Sequence, residues 1–210
     1  MTIGLDPAAI RAVTVPPRLW WRVYCEPHGA AVYNKTDKGN SRFSPLKGVN
    51  GKVIPTLYAG TTPAVALMET VLHDLPWPSD GYILTLPPPA KELRRMACLV
   101  NLQPLQLADF TALGLRKLGL KKSKVIETDK TQYPYSRGVA QWLYLNRPDL
   151  QGILWSSRQD DRGQAIILFE PRLKATPLHV WHAGEPIGQS PAMDELVELL
   201  DALGAGLVFG

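Results

Sequence analysis

From Leu19 to Tyr24 the chain is rich in aromatics and reads with a period of two. That pattern predicts a strand with Leu19, Trp21 and Val23 on one face and Trp20, Arg22 and Tyr24 on the other. Asn34 to Gly51 is polar and broken by Gly39, Pro45, Gly48 and Gly51, which predicts a long loop of functional type. A short strand is expected over Pro55–Ala59. A helix follows over Thr62–Asp74, with Thr62 as cap and Pro63 at the first helical position. Further strands are expected over Gly81–Leu86 and Cys98–Leu102, then an amphipathic helix over Asp109–Leu118 and a longer one over Pro134–Asn146. Gly152–Ser156 and Ala165–Phe169 read as adjacent strands joined by the polar turn Arg158–Gly163, and Leu178–Trp181 as an edge strand. The last helix is expected over Pro191–Leu203, capped by Ser190, with acids in its first turn and Gly204 as its stop. Strands outnumber long helices and do not alternate with them regularly, so the fold class predicted is α+β rather than a doubly wound sheet.

Composition sharpens the picture in a few places. The 19 prolines gather at Pro16-Pro17, Pro76 and Pro78, and Pro87-Pro88-Pro89, where they punctuate elements. None of these clusters is long or polar enough for a linker, so one domain is expected over residues 1–210, with the C-terminal helix packed on it. Charged residues are 20% of the chain and hydrophobic ones 45%, which excludes disordered, collagen-like and coiled-coil classes. The apolar runs fall far short of a membrane span. Met1–Val15 has no cationic start followed by an apolar block, so a cytoplasmic protein is expected. Two unpatterned cysteines, Cys25 and Cys98, make neither a disulfide framework nor a zinc site. The net charge of +4 permits an anionic ligand without demanding nucleic acid. The basic run Arg116, Lys117, Lys121, Lys122 and Lys124 lacks interleaved aromatics and reads first as a solvated face. Neither a glycine-rich phosphate loop nor a nucleophile elbow is present.

A few residues carry chemistry. Arg22 sits between aromatics on one strand face, where it either snorkels to solvent or offers a bidentate fork to an anion. Arg42, in Ser41-Arg42-Phe43-Ser44-Pro45, lies in a turn flanked by hydroxyls. Glu69 falls at the border of the apolar stripe Val65, Leu67, Met68, Val71 and Leu72. It either points to water or lines the rim of a cleft, where a carboxylate suits a cationic, oxocarbenium-like transition state. Tyr58 ends a strand and is either core or a platform for a flat heterocycle. Ser156 and Ser157 close the Gly152 strand. They either start a turn or hold a ribose or an amide.

In order, these pieces resemble the RES domain, named for its Arg, Glu and Ser. They are Trp21-Arg22-Val23, Ser41-Arg42-Phe43-Ser44-Pro45, Leu57-Tyr58-Ala59-Gly60-Thr61, Ala66-Leu67-Met68-Glu69-Thr70-Val71-Leu72-His73 and Gly152-Ile153-Leu154-Trp155-Ser156-Ser157-Arg158. The resemblance spans about residues 19–171. It implies an ADP-ribosyltransferase-like fold, a split and mostly antiparallel sheet with a cleft for NAD. It implies a toxin of a bacterial toxin–antitoxin pair that cleaves the nicotinamide–ribose bond, NAD being substrate and no prosthetic group being needed. It also implies an Xre-type helix-turn-helix antitoxin as partner, through which alone nucleic acid is engaged. Carried over residue by residue, the binding and reacting groups are Arg22, Arg42, Tyr58, Glu69 and Ser157. Two departures stand out: Trp155 replaces an aromatic that is often Tyr, and the doubled serine leaves Ser156 and Ser157 as alternatives. Competing readings are a mono-ADP-ribosyltransferase acting on a protein, and a non-enzymatic basic module for nucleic acid. Acceptor and oligomeric state stay open.

Overall fold

A computed structural model describes residues 4–76, 78–87 and 93–209. Its centre is an eight-stranded sheet in the order β1-β8-β9-β10-β5-β2-β7-β11. The strands are β1 Ala12–Val15, β2 Arg18–Cys25, β5 Thr56–Gly60, β7 Arg94–Asn101, β8 Leu105–Asp109, β9 Gly152–Ser156, β10 Gln164–Phe169 and β11 Leu178–Pro186. Every pairing is antiparallel except β8 with β9. Two small sheets accompany it: β3 Leu46–Lys47 with β4 Val53–Ile54, and β6 Ile83–Leu86 with β12 Gly206–Phe209. The helices are α1 Pro63–Met68, α2 Ala112–Lys117, α3 Lys122–Val125, α4 Tyr133–Asn146 and α5 Ala192–Ala202. The α+β, mostly antiparallel expectation is therefore met. Among the described residues no helix is long and apolar enough to cross a membrane.

One irregularity in the large sheet positions the site. β2 pairs with β7 along its whole length, from Arg18 opposite Asn101 to Cys25 opposite Arg94. Against its other neighbour, β5, it makes a single register pair, Trp21 opposite Gly60. Beyond that point the two strands part, and the sheet is split. The strands inside the sheet are buried on both faces. Ile153, Trp155, Ile167 and Phe169 join one cluster with Phe43, Phe110 and the apolar side of α4. Leu154, Ile166 and Leu168 join a second with Trp20, Tyr24 and Leu57. The predicted alternation along β2 holds. Trp20 and Tyr24 enter that second cluster, while Trp21 and Val23 pack against a third, built from α1, α5 and Ile187.

α1 meets the sheet at almost no distance. A Cβ on Gly60 would lie 2.6 Å from Val65 Cγ1, and one on Gly163 would also collide with Val65. Glycine at both positions lets the helix sit directly over the split. Thr62 caps α1 as expected, its Oγ1 accepting from Val65 N at 3.1 Å, with Pro63 in the first turn.

The structure corrects several expectations. The helix read over Thr62–Asp74 ends at Met68. The Thr70 hydroxyl takes the Ala66 carbonyl, and the backbone N–H groups of Thr70, Val71 and Leu72 all turn to Leu67 O. A side chain thus displaces the helical ladder. The helix read over Asp109–Leu118 begins only at Ala112, because Asp109 closes β8. Asp109 Oδ1 still accepts from Thr111 N at 2.8 Å, so it shapes the entry without being helical. Ser190 does not cap the last helix. Its hydroxyl bonds the Asp194 carboxylate at 2.8 Å and Pro191 is the capping residue. Gly204, at φ +67°, does end that helix as expected. The expected edge strand at Leu178–Trp181 is real but runs on to Pro186. Pro88 and Pro89 lie outside the described residues.

Candidate active site

Where β2 and β5 part, a cleft of about 200 Å³ opens. Its walls include Arg22 from β2, Tyr58 from β5, Ser41, Arg42 and Ser44 from the 41–45 turn, and Glu69 and His73 from the segment after α1. Four of the five residues singled out by resemblance therefore share one cavity, although 47 positions separate Arg22 from Glu69 in the sequence.

Arg42 is the most unusual of them. It is 3% exposed, and its Nε, Nη1 and Nη2 have no hydrogen-bond partner among the described residues. The guanidinium stands 5.5 Å from the centre of the Tyr133 ring. A buried, unpaired cation is costly unless something compensates it. The backbone around it is firmly built. Phe43 is fully buried, edge-on to Phe110 and Trp155. Its N–H donates to Tyr58 Oη at 2.9 Å, and Ser41 N donates to Ser44 O at 3.1 Å. Tyr58 thus anchors the turn that carries Arg42, and burial pushes its hydroxyl up to about 12.

Arg22 does not snorkel. Its Nη1 donates to Ala30 O at 2.7 Å. Burial draws its pKa down to about 10, against the opposing pull of the Tyr33 and Tyr24 hydroxyls. The buried Tyr33 hydroxyl has no partner among the described residues, and burial raises its pKa.

Glu69 is half-buried at the C-cap of α1. Ser157 Oγ donates to its Oε1 at 2.9 Å, and Arg158 N donates to the same oxygen at 3.2 Å. Two donors on one oxygen fix the carboxylate and keep it a good acceptor. Ser157 is fully buried, and its hydroxyl also accepts from Gln159 N and Asp160 N at 3.3 and 3.4 Å. Of the two serines it is Ser157 that reaches Glu69. Its place is behind the carboxylate rather than in the cleft. Trp155 is likewise fully buried and packs edge-on to Phe43 and Tyr58, beneath the site.

Sequence reasoning gave no role to His73 or Tyr133. Tyr133 Oη lies 2.6 Å from His73 Nε2, His73 Nδ1 lies 2.8 Å from Asp74 Oδ1, and Lys130 Nζ lies 2.6 Å from Asp74 Oδ2. Partial burial works to raise the Asp74 pKa, but hydrogen bonds from Lys130 and His73 outweigh it and hold the carboxyl below its usual range. Burial raises the Tyr133 hydroxyl, opposed by Arg42 and Arg158. Sixty residues separate His73 from Tyr133, so no local pattern could have paired them.

Of the basic run, Lys122 is tied to Glu127 at 3.0 Å and Asp161 at 3.4 Å, as befits a solvated face. Among the described residues no group of three His, Cys, Asp or Glu side chains converges as a metal ion would need.

Chemically, the cleft sets two arginines and a fixed carboxylate around one small space. The arginines suit a diphosphate, and the carboxylate suits positive charge developing between them. Comparison with known proteins bears on the fold and the family. The family model for the RES domain matches residues 19–186. No curated protein sequence matches the chain. Among solved structures, a chain in the crystal structure of the M. tuberculosis MbcT–MbcA toxin–antitoxin complex aligns at 16% identity and TM-score 0.59, covering 89% of this chain and 90% of that one.

Proposed function

The chain belongs to the RES domain family, and from that premise we propose that it is the toxin of a toxin–antitoxin pair and cleaves NAD at the nicotinamide–ribose bond. The observation that carries this reading is Arg42, a buried guanidinium with no nitrogen paired among the described residues, in a cleft that Arg22 and Glu69 also line. Such a group is kept where an anionic ligand completes it. NAD brings a diphosphate for Arg22 and Arg42 and a glycosidic bond whose rupture leaves positive charge on the ribose. Glu69, held by Ser157 and Arg158 N, stabilises that charge. The nicotinamide is already cationic before the bond breaks and leaves as a neutral base, so no general acid is required. With water as acceptor the products are ADP-ribose, nicotinamide and a proton; with hydrogen phosphate they are ADP-ribose carrying the phosphate on its anomeric carbon, nicotinamide and a proton.

The fold shared with a chain of a toxin–antitoxin complex supports an antitoxin as partner, which we take to be of the Xre helix-turn-helix type. An acidic tail or carboxylate terminus on that antitoxin would pair with Arg22 or Arg42 in place of the NAD phosphates. The test is to incubate pure protein with NAD and follow nicotinamide by chromatography, beside growth of cells expressing the chain alone. Glu69-dependent nicotinamide release with growth arrest is expected. Healthy growth with unchanged NAD would refute the toxin reading.

A further inference from the structure

A buried arginine ordinarily takes its direction from a carboxylate. Arg42 pairs with none among the described residues, and its guanidinium instead stands over the face of Tyr133, 5.5 Å away. That ring is itself held. Tyr133 is fully buried at the first residue of α4, and its Oη meets His73 Nε2 at 2.6 Å, with the two rings edge-on at 5.9 Å. His73 is held in turn by Asp74, and Asp74 by Lys130.

Building on the reading of the cleft as an anion site, we propose that Tyr133 and His73 are positioning residues. The tyrosine ring is the neutral platform that aims Arg42 at its ligand, and the bond to His73 locks the ring in place. The chemistry of the chain of contacts sets its direction. The Asp74 carboxylate only accepts, so the His73 proton belongs on Nδ1. Nε2 is then the acceptor for the Tyr133 hydroxyl. A phenol that donates to a strong acceptor is polarised toward phenolate, which makes its ring face more negative and a better seat for a guanidinium. A carboxylate in the same place would hold Arg42 more tightly but would occupy its donors and cancel its charge. The aromatic seat leaves all five N–H groups for the ligand. The same couple also ties α4 to the segment that carries Glu69, because His73 lies four residues after it.

The test is calorimetry with inorganic pyrophosphate, a probe that needs no NAD turnover. Tyr133→Phe keeps the ring and loses the bond; an affinity loss of about 3- to 10-fold is expected. His73→Ala should lose about as much. The double variant should be no worse than either single one, because both remove one link. His73→Gln, which restores an acceptor, should recover part of the loss. With NAD, KM should rise while kcat holds, which a merely structural defect would not produce. If Arg42→Ala loses pyrophosphate but folded Tyr133→Phe and His73→Gln/Ala variants bind like wild type, or if the two losses add, the positioning role is refuted and the NAD reading stands. The expected pattern without nicotinamide release refutes the NAD reading alone. Wild-type protein that binds neither pyrophosphate nor ADP-ribose overturns both.

Discussion

Two cavities flank neighbouring residues of β2. Arg22 lines the cleft of about 200 Å³, while Trp21, the residue before it, lines a groove of about 420 Å³ with Pro63, Met96, His182, Glu185, Pro191, Ala192 and Glu195. The larger one is walled mostly by apolar side chains, and among the described residues no buried unpaired polar atom belongs to its lining. The smaller one contains an arginine whose guanidinium has no hydrogen-bond partner among the described residues, and a carboxylate oxygen fixed by two donors. Size is thus a poor guide here. What marks a site is polar chemistry that the fold has buried and left incomplete, since folding alone gains nothing from it.

The sharpest way to break this contrast is Glu69→Gln. The amide keeps the volume and can still accept from Ser157, but it removes the charge facing the developing ribosyl cation. The variant should fold like wild type by circular dichroism and melting temperature. Its kcat for nicotinamide release should fall about 10²- to 10³-fold. Near wild-type turnover would remove Glu69 from the mechanism and the cleft from its privileged place.

Arg42→Met should separate function from stability. Losing charge-assisted bonds to the NAD diphosphate should raise KM, or the Kd for ADP-ribose, about 10- to 100-fold. Losing a buried unpaired cation should leave the protein as stable as before or raise its melting temperature by about 2–4 °C, the shift that ~1 kcal/mol produces at this size. A marked loss of stability would mean that the guanidinium is paired within the protein, and the argument from its isolation would fail.

Part of this was legible in the chain. The period-two pattern of β2 fixed which face Arg22 shares with Trp20 and Tyr24, because strand geometry needs only the neighbours in sequence. Glu69 was found through a helical wheel that extends past the true end of α1. The wheel succeeded because Glu69, as C-cap, still has helical backbone (φ −84°, ψ −2°). The Thr70 hydroxyl that ends the helix is a side-chain competition that a periodicity count does not register. The strand Leu105–Asp109 had its alternation in plain view, with Leu105 and Leu107 around Gln106, but Asp109 reads equally well as a helix start. The burial of Arg42 was illegible. It depends on Phe43 packing against Phe110 and Trp155 and on Tyr58 holding the turn, contacts that only the assembled sheet creates.

Ser157→Ala probes the next level down. It removes one of two donors to Glu69 Oε1 and leaves Arg158 N in place. The carboxylate stays charged but less well held, so kcat should fall about 10-fold, the worth of one hydrogen bond to a charged group. Ser156→Ala should stay within about twofold, since the serine that donates to Glu69 is Ser157. Equal losses for the two serines would show that the end of β9 acts through its fold rather than through one hydroxyl.

The smallest effect is expected on the far side of the comparison. Glu195 lines the larger groove and lies in the first turn of α5, where its negative charge complements the helix N-terminus. Glu195→Gln should therefore cost about 0.3–1 kcal/mol in a urea titration at low salt, and less as salt is added. NAD turnover should not move beyond experimental scatter, because no hydrogen bond or ion pair connects Glu195 to Arg22, Arg42 or Glu69 among the described residues. The pairing of outcomes is what matters. A stability loss without a turnover loss leaves the groove as part of the scaffold and keeps the chemistry in the smaller cleft. A fall in turnover matching that of Ser157→Ala would mean that the two cavities act as one site across β2, with the buried arginines serving a ligand that reaches through the split in the sheet.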